Sequence, residues 1–496
     1  MAKAPSGTLF GFAPALPGGK GPLFERIRGR LERLILDGAL PRGSRLASSR
    51  MLAAELGVSR NTILAAIESL VAEGFLETRP GSGTFVAAIL PEEPDRRPDA
   101  PPQPASAWPS AQPLHPNLPP LDLFPRDLWA RLSAQQWQRM RMDDLFYAAP
   151  GGHPPLRAAI RDHLRLTRGV ECTAEQVVVL PGTLAALDLC ARLLLRPGDT
   201  VLMEDPGYPQ ARGALAAAGA RVLPVPVGPE GFDIDAAAGA QAAMAFVTPR
   251  SQFPLAVAMS PARRAALLDW SRRTGGWIVE DDYDAEYRFG AGRQPTLWAE
   301  AGGRQVVHIG SFNTILFPAL RIAYAILPPD AARGLAARRA LIDGFTATHA
   351  QAVLHAFIAE GHFARHVRRV RVATEARRAA VIRAIGTDFA GILTLRGAEA
   401  GLHLAVDLSP DFAEESVARQ AGRRGIAPRP LGAYAAGPGG GQGLVIGVAG
   451  AAPPALSRAL RTLGAVLSQR PALRCEGRDL VPPTRPPRCD RPAAEA

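Results

Sequence analysis

Asp281 and Tyr283 stand two residues apart at the end of the run Trp277-Ile278-Val279. That spacing on a strand turns both side chains to one face, where an acid and a phenol can work on one bound group. The same acidic strand end could instead belong to an ion-pair cluster with Arg288. Pro181-Gly182-Thr183 follows the apolar run Val177 to Leu180 and opens a helical pattern reaching Leu187. Free N–H groups at such a helix start, with the Thr183 hydroxyl, can cradle a phosphate, although the same junction also serves as a plain turn. Arg321 lies within the apolar run from Phe317 to Leu327, and a guanidinium there needs an anion. Amine chemistry is missing. Of 57 lysines and arginines only Lys3 and Lys20 are lysines, so nothing beyond residue 20 can form an imine with an aldehyde. His308 ends another apolar run, as a packed residue or, in a competing reading, as a catalytic base.

These residues need a scaffold. The runs Val177 to Leu180, Thr200 to Met203, Ala245 to Val247, Trp277 to Val279 and Val306 to Ile309 alternate with helical patterns. Continuous apolar strands between helices predict a mostly parallel sheet covered on both faces.

A second chemistry lies near the front. Leu23, Ile27, Leu31, Leu34 and Ile35 recur at helical spacing; Ser48 and Ser49 can cap a second helix, Gly57 turns the chain, and Ser59 caps a third helix running to Glu73. Phe75 to Arg79 and Thr84 to Val86 then read as a hairpin around Pro80-Gly81-Ser82-Gly83. A helix-turn-helix followed by a glycine-tipped wing is a DNA-reading unit. Arg50, Ser59, Arg60 and Thr62 sit where phosphate contacts fall, and Gly81 and Gly83 let the wing backbone approach a groove. A wing used only for protein contacts is the other reading.

The chain's 496 residues exceed one ordinary core, and the net charge of +11 favours an anionic partner, although an arginine-over-lysine bias accounts for part of the basic character. Cys172, Cys190, Cys475 and Cys489 show neither metal spacing nor a disulfide framework. No metal is expected. Apolar runs are too short for a membrane span, and a cytoplasmic protein is expected. Composition divides the chain into a disordered segment 1–20, a DNA-binding domain 21–87, a proline-rich linker 88–116, a large domain 117–468 and a disordered tail 469–496.

The front resembles the GntR family, with Ala47 where that family usually has proline. With Asn117 to Pro125, Gly151 to Arg157, Glu204 to Pro209 and Glu280 to Asp284 following in order, residues 20 to 465 resemble the MocR branch of GntR regulators. The resemblance implies a multidomain fold, a winged helix-turn-helix (α+β) followed by an α/β fold-type I aminotransferase-like domain of the pyridoxal-phosphate-dependent kind. It implies that Gly182, Thr183, Ser311 and Arg321 meet the cofactor phosphate, Tyr208 stacks on the ring, Asp281 meets the pyridine nitrogen and Tyr283 approaches the phenolic oxygen. Core packing would also suit Tyr208. The Schiff-base lysine position is Thr314, flanked by Asn313 and Ile315. Leu184, Arg250-Ser251 and Leu255-Ala256 also depart from the family pattern, and Gly443 to Gly447 holds no arginine to clamp a substrate carboxylate.

The expectation is a homodimeric regulator that binds operator double-stranded DNA and senses a small-molecule effector without transaminating it. Pyridoxal phosphate or pyridoxamine phosphate, held noncovalently, or another phosphorylated metabolite, would be the ligand. Competing readings are a lysine-independent, pyridoxamine-phosphate-dependent enzyme fused to a DNA-binding domain, and a scaffold with no ligand.

Overall fold

The computed structural model describes residues 22–88, 111–287, 289, 294–396, 401–437 and 441–469. The expected segment 1–20, most of the linker and tail, Arg288, Cys475 and Cys489 lie outside them. The chain divides into two units, residues 1–109 and 110–496.

In the first unit α1 (Leu23–Leu36) buries Ile27, Leu31 and Ile35, one turn apart. α2 (Ser49–Leu56) starts where the Ser48 hydroxyl accepts the Met51 N–H at 3.3 Å, and it ends at Gly57, left-handed with φ 65°. α3 (Arg60–Ala72) is capped by Ser59, which accepts from the Thr62 N–H at 3.1 Å. β1 (Leu76–Arg79) and β2 (Gly83–Val86) pair antiparallel as the wing. Leu31, Leu52, Ile63, Leu70 and Val86 close the core between helices and wing.

The second unit opens with α4 (Arg126–Arg139) and α5 (Pro154–Arg168), then alternates: β3 (Val177–Leu180), α6 (Thr183–Leu194), β4 (Thr200–Asp205), α7 (Pro209–Ala217), β5 (Arg221–Gly228), β6 (Gly231–Phe232), β7 (Met244–Val247), α8 (Pro261–Thr274), β8 (Trp277–Asp282), α9 (Leu297–Glu300), β9 (Val306–Ser311) and β10 (Ala323–Ile326). The sheet order is β3-β10-β9-β8-β7-β4-β5-β6. β4, β5, β7, β8 and β9 are parallel, while β10 runs antiparallel to both β9 and β3. β3 therefore points with the parallel strands. The carboxyl ends of β3, β4, β7, β8 and β9 and the amino end of β10 share one edge, where open α/β sheets bind ligands. Ile278 and Val306 face one core, and Val279, Val307 and Ile309 face the other. The apolar runs are thus covered on both sides, as expected.

Beyond β10 come α10 (Pro329–Ile342), α11 (Thr348–Ala359) and the 26-residue α12 (His362–Thr387). α12 leads to β11 (Leu393–Arg396), β12 (His403–Leu408), α13 (Glu414–Arg423), β13 (Arg429–Pro430), β14 (Gly443–Gly447) and α14 (Pro453–Leu467). The second sheet, β11-β12-β14-β13, is antiparallel and has a separate core of Val381, Leu404, Phe412, Leu444 and Leu463. Its partition from the first sheet was not foreseen. The chain reaches this lobe early: Leu114 is buried, its carbonyl accepts from Gly447 N–H at 2.8 Å, and Pro113 carbonyl accepts from Ala427 N–H at 2.8 Å. Residues 113–116, expected in the linker, are therefore bound into the second unit. No described helix is long and apolar enough to cross a membrane.

Candidate functional site

The shared sheet edge gathers the chemistry-bearing residues of the second unit. Gly182 precedes α6 with φ 115°, open to glycine and strained for other residues. A Cβ built there would lie 2.8 Å from the Arg321 guanidinium. Arg321 itself is left-handed at φ 54°, in the loop between β9 and β10. Asn313 shapes that loop: its N–H donates to Ser311 Oγ at 3.2 Å and its side-chain oxygen accepts from Ile322 N–H at 3.1 Å. Asn313, a departure from the family pattern, sets the turn that lays Arg321 across Gly182. Arg321 is exposed, not enclosed by its apolar neighbours. Among the described residues it makes no hydrogen bond or ion pair, which leaves an open cation at the start of a helix.

At the end of β8, Asp281 is 4% exposed and its Oδ1 has no hydrogen-bond partner among the described residues. Burial, with the charges of Asp282, Asp284 and Glu204 behind it, pushes its carboxyl well above the usual range. Tyr283 is buried, its hydroxyl 3.5 Å from Ser251 Oγ, and burial with the Asp284 charge raises it too. Tyr208 is pushed up to about 12 by burial, and the opposed fields of Asp281 and Arg321 both reach it. Its ring meets Phe253 edge-on at 5.8 Å. Phe253 also touches Tyr283, His403 and Tyr434, at 5.9, 5.2 and 5.1 Å. Phe253 is thus the hub that fixes the aromatic wall, and the sequence reading missed it.

The Thr314 hydroxyl donates to the Tyr283 carbonyl, and the Thr314 carbonyl accepts from the Tyr287 hydroxyl at 3.0 Å. A hydroxyl so committed braces two loops. Ala256 takes φ 57°, the left-handed conformation a glycine would hold without strain.

Of the neighbouring acids, Glu280 and Glu204 are hydrogen-bonded, whereas both oxygens of Asp282 and the Oδ2 of Asp284, like Asp281 Oδ1, have no hydrogen-bond partner among the described residues. Glu280 accepts from Leu297 N–H at 2.8 Å and Trp298 N–H at 2.9 Å, and its Oε1 lies 2.9 Å from His308 Nδ1. Burial alone would raise Glu280; these donors outweigh it and hold the carboxyl below its ordinary value. His308 is 0% exposed in that pair, away from Asp281, so it has the packed role and not that of a base in the cleft. Asp282 pairs with Arg250 at 3.5 Å and Arg168 at 3.7 Å. Glu204, which the sequence marks only as the start of the Glu204 to Pro209 motif, accepts from Thr248 N–H at 2.9 Å, the Thr248 hydroxyl and the Gln252 amide, while burial raises it to about 7. The clue was Glu204 ending an apolar strand. Arg429 is exposed on β13 opposite Val445 in the second lobe, and its charge reaches Tyr434 of the aromatic wall.

In the first unit Arg50, Ser59, Arg60 and Thr62 are placed on α2 and α3 or at their starts, with Arg50, Ser59 and Arg60 exposed and Thr62 half-buried. Arg60 Nε donates to Ser49 Oγ at 3.2 Å, and the Ser59 and Thr62 hydroxyls lie 2.8 Å apart, so the two helix starts are pinned together. At the wing, Gly81 is open with φ 74°. Gly83 has a further reason to be glycine: a Cβ there would lie 3.0 Å from Arg45 Nε. Arg79 covers the Phe85 ring at 4.5 Å.

Residues 23–86 match the family of bacterial regulatory proteins named gntR, and residues 125–439 match aminotransferase class I and II. The probable rhizopine catabolism regulatory protein MocR of Rhizobium meliloti is 36% identical over 459 residues, covering 89% of this chain and 93% of that protein. The chain belongs to the MocR-type branch of the gntR family. It is a transcriptional regulator with an aminotransferase-like domain. The pyridoxine biosynthesis transcriptional regulator PdxR of Corynebacterium glutamicum is 30% identical, covering 86% of this chain and 90% of its own. Among solved structures, the alpha-aminoadipate aminotransferase LysN of Thermus thermophilus, complexed with N-(5'-phosphopyridoxyl)-L-leucine, superposes with TM-score 0.67 at 28% identity, over 73% of this chain and 94% of LysN. The fold class read from the sequence is therefore the observed one.

Proposed function

We propose that this regulator binds operator DNA through its winged helix and senses pyridoxal phosphate or pyridoxamine phosphate, held noncovalently at the carboxyl edge of the large sheet. The observation carrying the reading is the unpartnered, buried Asp281 Oδ1 on the same edge as the Gly182–Arg321 seat. A protonated pyridine nitrogen would complete the first, and a phosphate the second. When bound, this cofactor class supplies an electron-withdrawing ring. The residues here would hold and orient it: Arg321 and the first N–H groups of α6 take the phosphate, with Thr183 and Ser311 beside them, Asp281 ionises against the ring nitrogen, Tyr208 covers a ring face, and Tyr283 stands near the ring oxygen.

Thr314 stands where catalytic relatives carry lysine, so the domain lacks the amine for covalent attachment and for transamination. Its yield is a binding energy that favours one arrangement of the chain over another, limited by the difference in affinity between the two. Met142, Leu145, Phe146 and Tyr147 are 60–81% exposed, an apolar patch that supports the expected homodimer.

Fluorescence titration of the purified chain with pyridoxal phosphate and pyridoxamine phosphate tests the reading. Saturable binding of either ligand is expected, with borohydride fixing no pyridoxyl group beyond Lys20. Thr314→Lys should gain a visible absorbance band and a reducible adduct on residue 314, because proximity makes the reaction effectively intramolecular. A folded wild-type chain that binds neither compound, with a folded Thr314→Lys variant that takes up no pyridoxal phosphate, would mean the cleft serves another ligand.

A further inference from the structure

We infer that the aminotransferase-like domain makes a DNA contact of its own, through an arginine stripe on the first three turns of α12 that lies along duplex flanking the operator. The inference rests on the reading that the winged helix binds DNA.

Phe363, His366, Val370, Thr374, Arg377 and Val381 are the buried side of α12. At 100° per residue the opposite side presents Arg365, Arg368, Arg369 and Arg371, all exposed. The helix contains a single carboxylate, Glu375, a turn beyond Arg371. Residues 365–371 carry four exposed arginines and no acid, whereas some exposed arginines on other helices meet an aspartate within a turn. Arg192 meets Asp188 at 2.9 Å, and Arg272 and Arg273 meet Asp269 at 3.3 and 2.7 Å. For Arg365 and Arg369 the partners are neutral: Arg369 donates to the Leu123 carbonyl at 2.7 Å, and Arg365 to the Glu360 carbonyl at 3.4 Å and to His362. These bonds hold the two side chains in place and leave their positive charge unneutralised.

From residue 365 to 371 the stripe runs about 9 Å. B-DNA carries one charge for roughly every 1.7 Å of axis, so a stripe of that length faces several phosphates. Arginine suits them, since its fork of donors stays charged at any working pH. Residues 89–110, which join the described parts of the two units, cannot span more than about 75 Å. DNA gripped by the wing is consequently tethered to the large unit, and a weak contact with that unit counts at raised effective concentration.

The full-length chain can be tested on a duplex it selects from a randomised pool, prepared as the bound core alone and as that core with about 30 base pairs of random sequence on each side. The longer duplex should bind about tenfold more tightly at roughly 50 mM salt, with a log–log salt slope steeper by about 2 to 3, and the advantage should fade by roughly 200 mM. Arg365→Gln/Arg368→Gln/Arg371→Gln should bind the core as wild type does, melt at the same temperature and lose the length advantage. The single variant Arg368→Gln, at a side chain with no hydrogen bond or ion pair among the described residues, should flatten the slope by about 1. Equal slopes for the two duplexes in the wild type, or a length advantage retained by the folded triple variant, would overturn the inference and give the stripe to an anionic partner other than DNA. Failure to select any duplex would instead sink the operator reading beneath it.

Discussion

Glu280 and Asp281 are neighbours on β8, both buried, and their surroundings treat them in opposite ways. Glu280 faces the start of α9 and His308 and has hydrogen-bond partners on both of its oxygens. Asp281 faces the cleft, with one oxygen unpartnered and three carboxyls behind it. A buried carboxylate whose donors come from its own fold is part of the architecture, whereas one left short of a donor is shaped for something that arrives later. Two side chains of the same chemistry thus meet opposite surroundings on the two sides of one strand.

Removing the satisfied partner should do the greater harm. Glu280→Ala strands His308 and two backbone N–H groups, and urea unfolding should show a loss of about 3 to 5 kcal/mol. A loss below about 1 kcal/mol would erase the distinction between the two carboxyls. Asp281→Asn should leave stability within about 1 kcal/mol of wild type, or above it, and weaken pyridoxal phosphate binding by about tenfold or more. Should that variant bind as tightly as wild type, the ring nitrogen does not sit against residue 281.

The smaller effect is in the pH dependence. Glu204 and Asp284 are both raised by burial to about 7, so between the ordinary carboxylate range near 4 and about 7 the folded chain holds protons that the unfolded chain has released. Each group thereby makes stability fall as pH rises through that window, by at most about 1.4 kcal/mol per unit. Glu280 and Glu286, held below their ordinary values, act in the opposite sense, and their contribution is lost at more acid pH. Chemical denaturation from pH 4 to 8 should show a shallower decline in Glu204→Gln than in wild type. Identical profiles would mean that Thr248 and Gln252 stabilise the Glu204 carboxylate more than burial penalises it.

Much of this was legible in the residues. Apolar runs gave the strands because a sheet covered on both faces leaves no polar alternation to confuse them. Ser48, Gly57 and Ser59 announced the helix ends because capping is local chemistry. The spacing of Asp281 and Tyr283 marked the end of β8, where both are buried. What stayed hidden depended on partners distant in sequence. Nothing in Glu280-Asp281-Asp282 says which acid meets α9, which meets Arg250 and which is left over. The antiparallel course of β10, the Arg321 side chain across Gly182 and the Arg45 side chain against Gly83 are tertiary facts of the same kind.

The point where the tether is tied also matters. Because Leu114 and Pro113 are hydrogen-bonded to the small lobe, tension in the stretch leading back to the wing is delivered first to Gly447 and Ala427, on the β13–β14 side of that sheet. Any displacement of the small lobe that accompanies occupancy of the cleft shifts the root of the tether by the same distance. The fixed end of the leash belongs to the small lobe, which has a sheet and a core of its own, so the root of the tether is independent of the large sheet.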